Sequence, residues 1–208
     1  MPKKEVPVHH LQQYLPAGTA PAVIGYLQQY KVHLTITRER KTVLGDYRHP
    51  ARGNGHRISV NGNLNTYAFL VTLLHELAHL VTFEQYGNRV AAHGREWKAL
   101  FAGLLAQFIQ HGVFPADLEK EILHSLKNPA ASSCAEAGLQ RALRNYDKKK
   151  EHHHLVEELA HGTLFRTREG RVFRKEERLR KRFKCTEVAT GKIYLFSPVY
   201  EIEVLPGG

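Results

Sequence analysis

The sequence predicts an α+β fold: a helical body packed on a small β-sheet, then a short antiparallel β-rich tail. Three observations predict it. Between Thr66 and His111 two long segments carry apolar residues at helical spacing. Ahead of them, short runs alternate apolar and polar β-branched residues, as strands do. From Gly162 onward the chain changes to short alternating runs separated by Glu169-Gly170 and Thr190-Gly191.

In chain order, residues 1–8 read as a frayed tail, and His9 to Tyr30 has helical spacing interrupted near Pro16 and Pro21. Val32 to Arg38 reads as a strand. The run from Lys41 to Arg48 is its expected hairpin partner, with Gly45 and Asp46 as a turn or bulge. Arg48 to His56 is broken by Pro50, Gly53 and Gly55, and the segment "RISVN" is another short strand. A long helix runs from about Thr66 to Gln85, with Asn65 able to cap it and Gly87 to stop it. Arg95 to about His111 is a second helix and "PADLEKEILHSLKN" a shorter third. "NPAASS" is a small-residue linker before a helix that starts near Cys134 and runs into charge. The tail is expected to form about four strands.

Of the 208 residues, 42% are hydrophobic and 24% charged, the balance of a soluble globular protein. No uninterrupted apolar run approaches the roughly 18 residues of a membrane span, so no membrane partner is expected. The opening "MPKKEVPVHHLQQYL" lacks the apolar stretch and cleavage site of a secretory signal, which predicts a cytoplasmic location. The two cysteines, Cys134 and Cys185, make no disulfide framework and no four-cysteine metal site. The net charge is +10, and from Arg166 to Lys184 there are ten Lys or Arg against three Glu. Such a stretch suits a polyanion, through phosphate neutralisation and counterion release; a solvated face on a basic protein has the same composition.

The segment "HELAHLVTFEQYGNRVAAHGREW", His75 to Trp97, holds three histidines and three glutamates. His75, Glu76 and His79 form H-E-x-x-H. On a helix, residues four apart share a face with Cβ atoms about 5–6 Å apart, so two imidazoles can converge on one Zn²⁺. In this motif the glutamate, here Glu76, is the general base towards a zinc-activated water. The five-residue pattern arises by chance often enough that a third ligand must support it. Position 85 is Gln85, which removes one known spacing for that ligand. His93 is favoured: it follows the Gly87 break, opens the next helix, and has Gly94 beside it for close approach. Glu96 is the rival carboxylate. The helix around the motif is apolar nearly all round, with Leu73, Leu74, Leu77, Ala78, Leu80 and Val81, so it should be buried. Buried imidazoles and a carboxylate need partners, and a metal satisfies all of them.

The stretches "LLHELAHL" and "AHGREWKALF" resemble the SprT-like zinc metalloproteases, the group that includes Spartan proteases. The resemblance covers about the first 125 residues. It implies a minimal zincin-like body of helices on a small sheet, one catalytic Zn²⁺ held by His75, His79 and His93, and Glu76 as catalytic acid/base. It divides the chain into a metallopeptidase domain over 1–128, a linker helix over 129–161 and a zinc-ribbon-like tail over 162–208. The tail departs from the pattern: "RKRFKCTEVATGKIYLF" resembles one knuckle of a ribbon, but C-x-x-C occurs nowhere. A metal-free ribbon is expected, with Cys185 as a buried apolar residue.

The expected activity is peptide hydrolysis by a zinc-activated water. Spartan proteases cleave proteins attached to DNA, so the resemblance implies a protein substrate and DNA as partners. Arg174, Lys175, Arg178, Arg180, Lys181, Arg182 and Lys184 are the candidate nucleic-acid contacts, with Phe165, Phe173 and Phe183 interleaved. In alternating strands those rings also suit a buried face. The residues specify no oligomeric state. The alternatives are a non-catalytic DNA- or protein-binding module with a structural zinc, and a zinc hydrolase acting on a non-peptide substrate. Tyr67 and Cys134 are read as ordinary structural residues, and "KKKEHHH", Lys148 to His154, as a solvated linker.

Overall fold

The computed structural model describes residues 8–205 apart from 41, 52, 127–133, 135 and 149–152. Most of the expected N-terminal tail, the "NPAASS" linker and the centre of the "KKKEHHH" run therefore lie outside the described residues. The chain divides into two compact units between Asp147 and Lys148. Helices and strands are both present, in keeping with an α+β fold.

The first unit opens with a 3-10 helix, Val8–Tyr14, and helix α1, Ala20–Gln29. Pro21 sits in the first turn of α1, where its missing N–H costs nothing. Strands β1 (His33–Thr37), β2 (Gly45–Arg48) and β3 (Arg57–Asn61) form a mixed sheet in the order β1-β3-β2. The expected hairpin between Val32–Arg38 and the Lys41–Arg48 run does not form. β1 pairs with β3 in parallel, Leu34 opposite Ile58, and β2 pairs with the other side of β3, Tyr47 opposite Ile58. The physical reason is burial. Ile58 and Val60 are fully buried, so β3 takes the central place, while β2, part-buried to exposed, takes an edge.

Helix α2, Thr66–Tyr86, is the axis of this unit. The Asn65 side chain accepts the Ala68 N–H at 2.9 Å, which caps its start. At its end Gly87 adopts φ 61°, a conformation that favours glycine, and donates its N–H to the Phe83 carbonyl at 2.7 Å. By length and composition α2 could cross a membrane, but 78% of that window is buried within the protein, as in a core helix. Phe69, Leu70, Leu73, Leu74, Leu77 and Leu80 are all fully buried. Helices α3 (Arg95–Gln110), α4 (Ala116–Ser125) and α5 (Ala137–Arg144) complete the unit. Leu139 and Leu143 of α5 are buried in the same core as α2 and α3, so this helix belongs to the first unit. Tyr67 packs against Phe114 and Tyr146, as a structural residue should. Cys134 differs from its expected helical setting: it is a buried turn residue at φ 55°.

Among the described residues the second unit is one antiparallel sheet of six strands; five lie in the tail from Gly162, one more than expected there, and one precedes it. They are β4 (His153–Leu155), β5 (Leu164–Arg166), β6 (Val172–Leu179), β7 (Arg182–Glu187), β8 (Ile193–Phe196) and β9 (Glu201–Val204), in the order β4-β9-β5-β6-β7-β8. β4 precedes the stretch from Gly162 and holds one apolar residue, Leu155, in three, which leaves little alternation to read. The small core holds Val156, Phe165, Phe173, Cys185, Phe196 and Ile202. Cys185 is fully buried, and burial pushes its thiol up to about 11, so it behaves as an apolar side chain.

Candidate metal centre

His75 and His79 stand one turn apart on α2, and their Nε2 atoms lie 3.3 Å apart. Two nitrogens each about 2.0–2.1 Å from one tetrahedral ion would be separated by about 3.3–3.4 Å. The third imidazole arrives from the loop after Gly87. A turn closed by the Gly94 N–H on the Ala91 carbonyl, at 2.9 Å, carries His93 back towards α2. Gly94 then begins α3 as its N-cap. One donor atom from each of His75, His79 and His93 falls within 4.8 Å of the others, so the cluster can hold a metal ion. Glu96 stays outside the cluster, in the first turn of α3 and 3.8 Å from the Arg95 guanidinium.

The donor chemistry fits a cation. His93 Nε2 is buried and lacks a hydrogen-bond partner, a state that costs about 1–3 kcal/mol unless a ligand supplies the missing interaction. Burial, and then the His79 and His93 imidazoles, pull His75 down to about 3. Burial and then His93 pull His79 down to about 4. His93 is lowered by burial and by Lys98. These imidazoles are thus neutral near pH 7 and offer lone pairs, as metal binding requires. Trp97, fully buried, packs against all three, with ring centroids 4.6, 5.2 and 4.7 Å from those of His75, His79 and His93.

Glu76 is 5% exposed and lines the same cleft as the three histidines. That cleft, about 710 Å³, is walled by β2 and its preceding loop on one side and by the 87–93 loop on the other. Sequence reasoning missed the part played by β2. Gly45, read there as a turn or bulge, is a strand residue lying directly over Glu76. Two residues on, Tyr47 lies parallel to the His79 ring, 3° apart in plane. Its hydroxyl is 3.0 Å from His56 Nδ1, and His56 Nε2 is 3.1 Å from a Glu84 carboxylate oxygen. With the Nε2 proton given to Glu84, His56 Nδ1 accepts from the tyrosine. Burial, and then Glu84, raise the Tyr47 phenol, so it stays protonated. The available signal was periodicity: on a strand, Gly45 and Tyr47 must share a face.

Residues 18–119 match the model of the SprT-like family. The chain carries a SprT-like domain over those residues. Three proteins named Protein SprT, from Pseudomonas putida strains F1, W619 and KT2440, are each 46% identical to it over 33 residues. That stretch is 16% of this chain and spans only 20% of the length of those curated relatives. No solved structure matches significantly. The SprT-like match contains the whole histidine cluster, Glu76 and strand β2.

The seven candidate nucleic-acid residues separate in the second unit. Arg174, Arg178, Arg180, Lys181 and Arg182 are exposed on β6, β7 and the turn between them. Lys175 is 5% exposed, and its ammonium donates to the Leu159 carbonyl and lies 4.2 Å from the Phe183 ring centre. A β-bulge sets Glu176 and Glu177 of β6 opposite the single residue Lys184, which pairs with both at 2.9 and 3.2 Å. Phe165 and Phe173 are buried in the core of the unit and present no surface for stacking.

Proposed function

We propose that this protein is a zinc-dependent metallopeptidase. The observation that carries the reading is one open cleft lined by three convergent neutral imidazoles and the Glu76 carboxylate. A structural zinc site is closed by protein ligands on all sides and needs no carboxylate beside it, so the cleft argues against a purely structural role. His75, His79 and His93 would hold the ion. When bound, zinc supplies Lewis acidity to a carbonyl oxygen and brings the pKa of a coordinated water towards about 7.

Glu76 would accept the water proton and return it to the leaving amine. The tryptophan and leucines behind the histidines keep bulk water from that side, which strengthens the electrostatics of the site. β2 lies at the edge of its sheet beside the cleft, a position where an extended chain can be received by main-chain hydrogen bonds. That favours a protein over a small ester or amide. The test is cleavage of an unfolded protein by the zinc-loaded chain, with Glu76→Gln as the inactive control. Cleavage that survives this substitution would overturn the role given to Glu76.

The exposed cations around the β6–β7 turn support a second element of the reading, contact with the phosphates of DNA and hence action on DNA-associated proteins in the cytoplasm. Binding there would be salt-dependent and insensitive to sequence.

A further inference from the structure

We infer that Gly45 is a positioning residue for Glu76: strand β2 fixes the carboxylate because no side chain stands at position 45. A methyl group built on Gly45 would lie 2.5 Å from Glu76 Oε1, 2.8 Å from Glu76 Cγ and 2.8 Å from Thr72 Cγ2. Real Cβ contacts do not come so close. Gly45 is not among the described glycines with positive φ, so its backbone conformation is open to any residue. It is glycine for the space alone. The carboxyl group of Glu76 occupies the volume where a side chain would be and abuts the strand backbone. The one long acid side chain in the motif is thereby held between α2 and β2 and kept from swinging along the cleft.

The strand is itself held rigidly at this point. Arg40 donates Nε–H to Asn61 Oδ1 at 2.8 Å and Nη1–H to the Ser59 hydroxyl at 3.0 Å, and its Nη2 reaches the Leu44 carbonyl at 3.3 Å. Asn61, 1% exposed, donates its amide to the Val43 carbonyl at 2.9 Å, and its backbone N–H to that of Leu44 at the same distance. The loop leading into Gly45 is thus tied on both sides to β3, and the strand cannot retreat from an added methyl group without breaking these bonds. Strain from overpacking must fall on Glu76 and Thr72.

This inference rests on the peptidase reading only for its catalytic consequence; the contact itself can be tested without activity. The measurement is a double-mutant cycle in thermal stability on the full chain, followed through Trp97, the sole tryptophan and a residue of the first unit. Thr72→Ser is the common background, because it removes the second clash and keeps the hydroxyl. With Glu76 present, Gly45→Ala is expected to lower Tm by about 3–10 °C. With Glu76→Ala, which empties the space, the same substitution should cost less than about 2 °C. Equal losses in both backgrounds would overturn the inference. If Gly45→Ala yields no folded protein, recovery on adding Glu76→Ala carries the same meaning and continued failure the opposite.

In the otherwise unaltered chain, Gly45→Ala should bind zinc within about twofold of the original, read by Trp97 fluorescence. It should lose at least about tenfold in kcat with little change in KM, the loss expected when a proton-transfer group is misplaced. Full kcat in this variant would overturn the inference. An original chain that cleaves no protein would sink the peptidase reading and leave the stability cycle to decide the contact.

Discussion

The Nε2 atoms of His75 and His79 lie 3.3 Å apart, with the buried, unpartnered Nε2 of His93 nearby. This pairing arises from helix periodicity, which stacks residues four apart on the face of α2 that lines the cleft.

Removal of any one imidazole should remove most of the metal. His75→Ala, His79→Ala and His93→Ala are each expected to weaken zinc binding by more than about 100-fold, since even the groups behind a ligand cost roughly 10–100-fold. Glu96→Ala should leave affinity within a few-fold. Competition with a chromophoric chelator reads both. Strong loss in Glu96→Ala with little in His93→Ala would exchange their roles.

Acid should destabilise the chelator-treated protein early. The folded-state pKa values of His75 and His79, about 3 and about 4, lie below the unfolded value of about 6.5. In that interval the unfolded chain binds protons that the folded chain refuses, so stability falls as pH drops from about 6.5 towards 4. Above about 6.5 the two imidazoles contribute no slope. Denaturant midpoints across that range test the sign, and the double substitution His75→Gln/His79→Gln should flatten the curve.

Glu76→Gln should keep zinc and lose catalysis. The amide is nearly isosteric and touches Gly45 in the same place, but it cannot take a proton. Metal content by elemental analysis is expected to match the original, with turnover lower by at least about 100-fold.

The basic residues of the tail should fall into two groups. Arg180→Ala/Lys181→Ala/Arg182→Ala is expected to weaken DNA binding and reduce the slope of log affinity against log salt by roughly 2–3. Lys175→Ala should instead destabilise the second unit by about 1–3 kcal/mol, because it removes a buried ammonium from the Leu159 carbonyl and the Phe183 face. Its salt slope should not change. Fluorescence anisotropy over a salt series and near-ultraviolet circular dichroism separate the two effects.

Much of this was legible in the residues themselves. The long apolar segment with Asn65 before it and Gly87 after it specified α2 to within a residue at its end, because capping and periodicity are local. The spacing of His75 and His79 determined their shared face. The pairing of β2 was not legible. Hairpin expectation follows chain proximity, whereas the observed order puts the most buried strand, with Ile58 and Val60, in the middle, and that choice is made by the core as a whole. The importance of Gly45 was hidden for a related reason: a glycine in a strand says only that something comes close, and the fold is needed to say that it is Glu76. In the tail, counting by two from the buried Phe173 would have placed Lys175 inside, but the dense charge around it suggested a surface.

A single metal bound by three imidazoles beside Glu76 would be seen in anomalous diffraction at the zinc edge from crystals grown with zinc. The expected result is one strong peak about 2.0–2.1 Å from a ring nitrogen of each of His75, His79 and His93, with a fourth position open to the cleft. A cluster without a peak, or a peak whose coordination is completed by protein groups on every side, would contradict it.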